Sequence, residues 1–361
     1  MNMKAAVCYE FGKPLIVEEV EIDPPQMGEV KAKIANCAIC HSDIHLIRGE
    51  WGGETPVVAG HEGAGIITEV GPGVTNVQPG DRVVISLLRS CGRCFYCTIG
   101  RPYNCEAEFP LDRESRLRNK EGVTLVRGVY TAAFAEYTIV DQSQVVKVPE
   151  DLPLDRACLL ACGVITGLGA VVNTVQVETG SSVVVIGTGG VGLNSVQGAV
   201  LSGAAKIIAV DLLDNKLEAA RLFGATHTIN AMHQDAVAAV LALTEGRGAD
   251  YAFVTVGSST AIIQASQMIR KGGTCVVVGM PPNNDAEFTL HAHNLTYGRT
   301  IIGSSMGSTR LSVDVPRLVE LYQQGRLKLD ELITNRYPLE KINEAIESTE
   351  RGEALRNVIV F

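Results

Sequence analysis

Cys91, Cys94, Cys97 and Cys105 fall in the run S-C-G-R-C-F-Y-C-T-I-G-R-P-Y-N-C, a C-x2-C-x2-C-x7-C spacing. Four soft thiolates from one short loop suit a tetrahedral metal ion, the donor set of a closed structural zinc site. A disulfide-laced loop is the plainer alternative, but disulfides need an oxidising compartment. The start, MNMKAAVCYEF, has no apolar core of a secretion signal. An iron–sulfur cluster is the other competitor for four thiolates. The spacing predicts a zinc lobe over 90–106 that holds shape, because four thiolates leave no position for a substrate.

A second set of donors is more scattered. Cys40 stands beside His41 and near His45 in C-A-I-C-H-S-D-I-H (37–45), and His61 stands beside Glu62 in A-G-H-E-G-A-G (59–65). These are soft and borderline ligands among small neighbours. A further thiolate would complete a site with an open position, but spacing does not choose among Cys8, Cys37, Cys158, Cys162 and Cys275.

The run V-V-V-I-G-T-G-G-V-G sets Gly187, Gly189 and Gly192 in the order G-x-G-x-x-G, with Gly190 and Val191 between them. It follows an apolar strand pattern and opens a helical one. In that context the first glycine allows a tight turn, the second lets backbone approach a pyrophosphate, and the third lets helix and strand pack closely. The helix N-terminus offers free N–H groups and partial positive charge to the phosphates. Asp211 follows Gly192 by 19 residues, where a carboxylate can hold ribose hydroxyls. A carboxylate there repels a 2′-phosphate, and Leu212, Leu213 and Asp214 add no cation, so the expected cofactor is NAD.

These residues need two different scaffolds. The first 150 or so residues read as short strands broken by Gly and Pro, with strands at 29–35 and 63–70 and turns at G-P-G (71–73) and P-G-D (79–81). After about Asp151 strand and helix patterns alternate: strands at 182–186, 206–210, 251–256, 274–278 and 300–303, helices at 191–202 and 215–223. That succession predicts an α/β fold with a doubly wound parallel sheet. The chain ends in an apolar strand at 357–361. With 361 residues, 46% apolar content and 37 glycines, two domains are expected. A net charge of −9 without a basic cluster excludes nucleic-acid and anionic-membrane binding, and no apolar run reaches spanning length. Ten cysteines in such a chain point to a reducing, cytoplasmic setting.

Over essentially its whole length the sequence resembles the zinc-containing medium-chain alcohol dehydrogenases. G-H-E-G-A-G, the four-cysteine lobe, the C-G-x-x-T-G run at 162–167 and G-T-G-G-V-G follow the family's order and spacings. The resemblance implies a GroES-like β-rich catalytic domain over 1–163 and 306–361 and a Rossmann NAD-binding domain over 164–305. It implies two zinc ions per chain, the catalytic one on Cys40, His61 and Cys162, the ligand set for which alcohol dehydrogenases are known. Such an ion acidifies a hydroxyl that must approach an alkoxide before hydride can leave; water on zinc falls from about 15.7 to about 7. The resemblance further assigns Ser42 and His45 to a proton relay through the cofactor's ribose. It sets Asp43 behind His61, and Glu62 behind the metal. His41 and Arg356 match pyrophosphate contacts, Lys216 a ribose contact, Thr166 and Val191 surroundings of the nicotinamide, and Val278 a further cofactor contact. Trp51 and Leu87 match walls of a pocket for a small-molecule alcohol or aldehyde. The segment 106–131 is short and charged (D-R-E-S-R-L-R-N-K-E) and reads as a solvated loop. G-R-P-Y-N-C and G-L-G-A-V-V-N-T also resemble thiol-dependent formaldehyde dehydrogenases, a second enzymatic reading. A non-catalytic dinucleotide-binding protein is the third. The family's assembly implies a homodimer or homotetramer through the strand at 300–303.

Overall fold

The alternating stretch at 29–35 forms the strand Glu29–Ala38, which has three neighbours in the computed structural model; the structure describes every residue from Met1 to Phe361. By internal contacts the chain divides into Met1–Cys162 with Arg310–Phe361, and Gly163–Thr309.

In the first unit a seven-stranded sheet runs Val145–Lys147, Arg82–Ile85, Glu62–Val70, Glu29–Ala38, Arg356–Val360, Ile333–Pro338, and Tyr137–Asp141 also pairs with Glu29–Ala38. A five-stranded sheet built around Asn2–Cys8 completes the β-rich unit. Inward side chains such as Val30, Ala32, Ile34, Val83, Ile85 and Ile359 form its main core. Register decides what meets at the sheet's end. Ala38 lies opposite Glu62 and opposite Val358, and Gly63 lies opposite Ile85. The chain just beyond Ala38, the residues just before Glu62 and the start of the strand Arg356–Val360 therefore converge.

The second unit is a parallel sheet in the order His227–Asn230, Lys206–Asp211, Ser182–Ile186, Ala249–Val254, Ile269–Val277, Thr300–Gly303. Numbered along the chain this is 3-2-1-4-5-6, the doubly wound arrangement expected from the alternating pattern. Its strands are continuous apolar runs because both faces are covered: Val183, Val184 and Val185 are all fully buried. The order reverses beside Ser182–Ile186, the strand that feeds the glycine-rich turn and the helix Gly190–Leu201.

The segment 106–131 departs from the expected solvated loop. It contains the short helix Pro110–Arg113 and the strand Leu117–Asn119. Arg116 is buried, with Nε and Nη2 donating to the Glu29 carboxylate at 3.1 and 2.8 Å. Arg127 is also buried and donates to the carbonyls of Tyr130, Ile139 and Leu111. Burial pulls that guanidinium down to about 10. Two of the segment's ten charged side chains, Arg116 and Arg127, are thus spent inside the fold, while the others stay at least partly exposed. No single helix is long and apolar enough to cross a membrane.

Candidate metal centres and cofactor loop

Four side chains meet at the end of the seven-stranded sheet. One ligand atom each from Cys40, His61, Glu62 and Cys162 lies within 4.8 Å of the others, and all four residues are buried. Cys40 follows the strand Glu29–Ala38 and stands at the N-cap of the helix His41–Arg48. His61 precedes the strand Glu62–Val70, brought level by the Ala38–Glu62 pairing. Cys162 ends a helical turn at 158–161, and that turn is tied to the sheet by Ser86 Oγ, which donates to the Ala161 carbonyl at 2.6 Å.

Asp43 organises two of these groups at once. Its Oδ1 accepts from His61 Nδ1 at 2.8 Å and from the Gly60 amide at 2.9 Å, while Oδ2 accepts from the Cys40 amide at 3.2 Å. With its proton committed to Nδ1, the imidazole presents an Nε2 lone pair toward the sulfurs. That buried Nε2 has no hydrogen-bond partner in the protein. An orphaned buried nitrogen among thiols costs about 1–3 kcal/mol unless something fills the gap. Two thiolates and one imidazole are the donors a zinc ion accepts, so the residues fit that ion.

The electrostatics agree. Hydrogen bonding from Cys162 holds the Cys40 thiol well below its usual range, against the burial that opposes it, with His61 assisting. The same bond, with burial, holds Cys162 well above the usual range. Burial works against a charged His61, but Asp43 and then Cys40 outweigh it and its pKa is raised well above normal. A divalent cation would compete with protons for these donors, so binding it releases protons. Burial lifts Glu62 to about 7, although Arg356 draws it down.

Arg356 is where the structure departs most from the sequence reading. It was expected at a pyrophosphate, yet its side chain is only 6% exposed and Nη2 donates to Glu62 Oε2. The reason is topological: Arg356 opens the strand paired beside Ala38, and a cation buried there must have a carboxylate.

Cys91, Cys94, Cys97 and Cys105 likewise bring their sulfurs within 4.8 Å of one another, and none forms a disulfide. The Cys91 amide donates to Cys105 Sγ at 3.4 Å and the Cys94 amide to Cys91 Sγ at 3.3 Å. Backbone donation from Cys97 and Glu106 lowers Cys94 to about 6. N–H groups aimed at sulfur are what thiolate ligands require.

In the second unit Gly187 has φ 86° and a Cβ on Gly192 would lie 1.8 Å from the Gly187 carbonyl. Both glycines are therefore obligatory. At Gly189 a Cβ would meet nothing within 4 Å, leaving the open approach that a pyrophosphate needs. Asp211 sits at the end of the next strand, but its carboxylate is already engaged. Oδ2 accepts from the Thr188 amide and hydroxyl at 2.6 and 3.0 Å, and Oδ1 from the amides of Leu212 and Leu213 at 2.7 and 3.1 Å. It shapes the glycine loop and the turn that follows its own strand. Lys216 is nearly buried; burial lowers its pKa and Asp211 opposes that. Thr166 is buried and donates to Met306 Sδ at 3.6 Å. Val191 and Val278 are half-buried.

His41 is exposed at the first turn of its helix, Ser42 and Leu87 are half-buried. Trp51, expected in a pocket wall, stacks on His45 with ring centroids 5.0 Å apart and planes at 29°. His45 Nδ1 is bonded to Glu50, a residue the sequence reading passed over. Met306 was also missed; it starts a left-handed run with Gly307 and Ser308 (φ 46°, 66° and 49°) that no sequence signal marked apart from one glycine.

Comparison with known proteins meets this geometry. The alcohol dehydrogenase GroES-like domain profile matches residues 26–150, and the zinc-binding dehydrogenase profile matches 190–324. The NDMA-dependent alcohol dehydrogenase of Amycolatopsis methanolica is 41% identical, covering 100% of this chain and 99% of that protein. The S-(hydroxymethyl)glutathione dehydrogenase of Paracoccus denitrificans is 37% identical with full coverage of both. The crystal structure of benzyl alcohol dehydrogenase from Acinetobacter calcoaceticus superposes with a TM-score of 0.93 at 34% identity, over 100% of this chain and 99% of that one. Two cysteine-bearing clusters, a glycine-rich turn on a doubly wound sheet and relatives aligned from end to end agree: this chain belongs to the zinc-containing medium-chain alcohol dehydrogenase family and is an oxidoreductase.

Proposed function

We propose that the protein oxidises an alcohol reversibly with NAD, holding one zinc ion on Cys40, His61 and Cys162 and a second on Cys91, Cys94, Cys97 and Cys105. The observation that carries the reading is the buried donor cluster with its partnerless His61 Nε2. Zinc supplies Lewis acidity toward a hydroxyl oxygen, and NAD supplies the hydride-accepting carbon.

The chain's own residues do the rest. Asp43 fixes the tautomer and direction of His61 and braces the Cys40 backbone. Two thiolates and the carboxylates of Glu62 and Asp43 face the Arg356 guanidinium plus a divalent cation, so the buried groups come within one unit of neutrality. Ser42 Oγ is the first proton acceptor and His45 Nε2 the last before water. They stand three residues apart on one helix and so share a face. Gly187, Gly189 and Gly192 admit the pyrophosphate, and Asp211 accepts from the ribose. A homodimer or homotetramer assembled through the outer edge of Thr300–Gly303, the last strand of its sheet, fits this reading.

Because Asp211 both discriminates and braces Thr188, Asp211→Gly should raise the KM for NAD at least about tenfold, the loss of charge-assisted hydrogen bonds, and narrow the NAD/NADP ratio. Equal kcat/KM with both cofactors in the unmutated protein refutes the NAD assignment. Likeness to S-(hydroxymethyl)glutathione dehydrogenase supports a second reading, oxidation of a thiol–formaldehyde adduct. A panel of alcohols and aldehydes, with NAD, NADH and NDMA as electron partners and with and without low-molecular-weight thiols, separates them. Turnover of plain alcohols supports the first; formaldehyde oxidation only on addition of thiol supports the second.

A further inference from the structure

The helix His41–Arg48 ends in a motif that assembles a dyad. Gly49 is left-handed (φ 72°); its amide donates to the Leu46 carbonyl at 2.9 Å, and the Glu50 amide donates to the His45 carbonyl at 3.0 Å. These are the two bonds of a Schellman cap, whose outer residues normally make an apolar contact. Here those two positions hold His45 and Glu50, and the carboxylate accepts a hydrogen bond from His45 Nδ1. A side chain at Gly49 would run into the Phe11 ring at 2.9 Å, so the turn admits only glycine. The chain then brings the Trp51 indole over the imidazole face. Arg48, the cation whose field reaches Glu50, is itself committed to Glu350 through Nε and Nη2 at 2.9 and 2.8 Å, which leaves Glu50 to His45.

We propose that Glu50 is a positioning residue for proton transfer: it holds His45 as the Nδ1–H tautomer, laid flat on Trp51, so that Nε2 is the atom that takes the proton. This rests on the reading of His45 as the last relay residue. A neutral imidazole carries one proton, and the hydrogen bond at one nitrogen decides which lone pair is free. When Nε2 accepts a proton the ring becomes an imidazolium, stabilised by the carboxylate already on Nδ1, and then releases that proton to water.

Trp51 is the chain's only tryptophan, so its fluorescence reports on the ring stacked against it. Imidazolium quenches a stacked indole, so emission should rise with pH as the ring loses its proton. His45→Gln should abolish that rise, and Glu50→Ala should remove at least about half of its amplitude by letting the ring leave the indole. In steady-state alcohol oxidation at pH 6.5, His45→Gln and Glu50→Ala should each lower kcat about tenfold, part of what a general base contributes. Adding Glu50→Ala to His45→Gln should cost less than about twofold more, since both act through one ring. If Glu50→Ala slows the parent and the His45→Gln protein equally, Glu50 is only a helix cap and the proposal fails. It also fails if Glu50→Ala retains full amplitude and rate while His45→Gln is slow, an outcome that leaves the relay standing. An unchanged rate in His45→Gln at every pH removes the relay and this proposal together.

Discussion

Replacing His61 by Ala should remove one of two zinc ions per chain and lower alcohol oxidation by roughly 10⁴-fold or more, since a Lewis acid supplies several kcal/mol to such a step. The imidazole is the only nitrogen donor in its cluster, and its partnerless Nε2 is aimed among the sulfurs. Without it two thiolates remain with Glu62, a harder oxygen donor beside a guanidinium. Asp43 keeps its bonds from the amides of Gly60 and Cys40, so the helix start survives and the loss is local. The Cys91–Cys105 lobe shares no residue with this cluster and should keep its ion. Elemental analysis together with kcat decides the matter. Two ions per chain with activity within tenfold of the parent would remove the assignment of the catalytic site.

What the sequence disclosed follows from how local each feature is. The lobe was legible because its four ligands lie within 15 residues and need no tertiary information. The glycine turn was legible because strand, turn and helix are consecutive, and the observed Ser182–Ile186 and Gly190–Leu201 fall where the apolar run and glycines put them. Cys162 could not be picked from five thiols by spacing. It reaches the site only through the Gly63–Ile85 pairing and the Ser86–Ala161 bond, both products of sheet register. Arg356 was read from resemblance as a ligand contact because nothing near it in sequence announces Glu62, 294 residues away. The charged segment at 106–131 misled only at its two buried arginines: most of its charges are solvated, but Glu29, from another strand, is brought against Arg116, and Arg127 is buried among carbonyls. Glu50 was readable. R-G-E after an eight-residue amphipathic helix is a C-cap signal, and the residue after the glycine must fold back over the last turn.

Arg356→Met should destabilise the protein by about 3–5 kcal/mol near pH 8, the usual cost of removing one partner from a buried ion pair. Glu62 is fully buried, its Oε1 has no hydrogen-bond partner, and Arg356 donates to its Oε2. Methionine fills much of the volume but leaves the carboxylate without its cation. The pair is one unit, so Glu62→Gln combined with Arg356→Met should recover at least about half of the loss, since a neutral buried pair can be nearly as stable as the ionic one. The pH dependence has a definite sign in the metal-free protein. Glu62 titrates at about 7 in the fold against 4.5 for an unperturbed glutamate, burial being the main cause. The folded state therefore binds more protons than the unfolded one between those values, and stability falls as pH rises through the window. Removing Arg356, which draws the value down, carries the window further upward. The penalty of Arg356→Met should accordingly be larger at pH 8 than at pH 5, where the carboxyl is protonated with or without the arginine, by up to about 1.4 kcal/mol, the linkage of one pH unit above 7. Urea unfolding of parent, both single variants and the double at the two pH values measures it. A loss equal at both pH values, or no recovery in the double variant, would mean that the arginine contributes packing alone and that the charge balance proposed for the site is wrong.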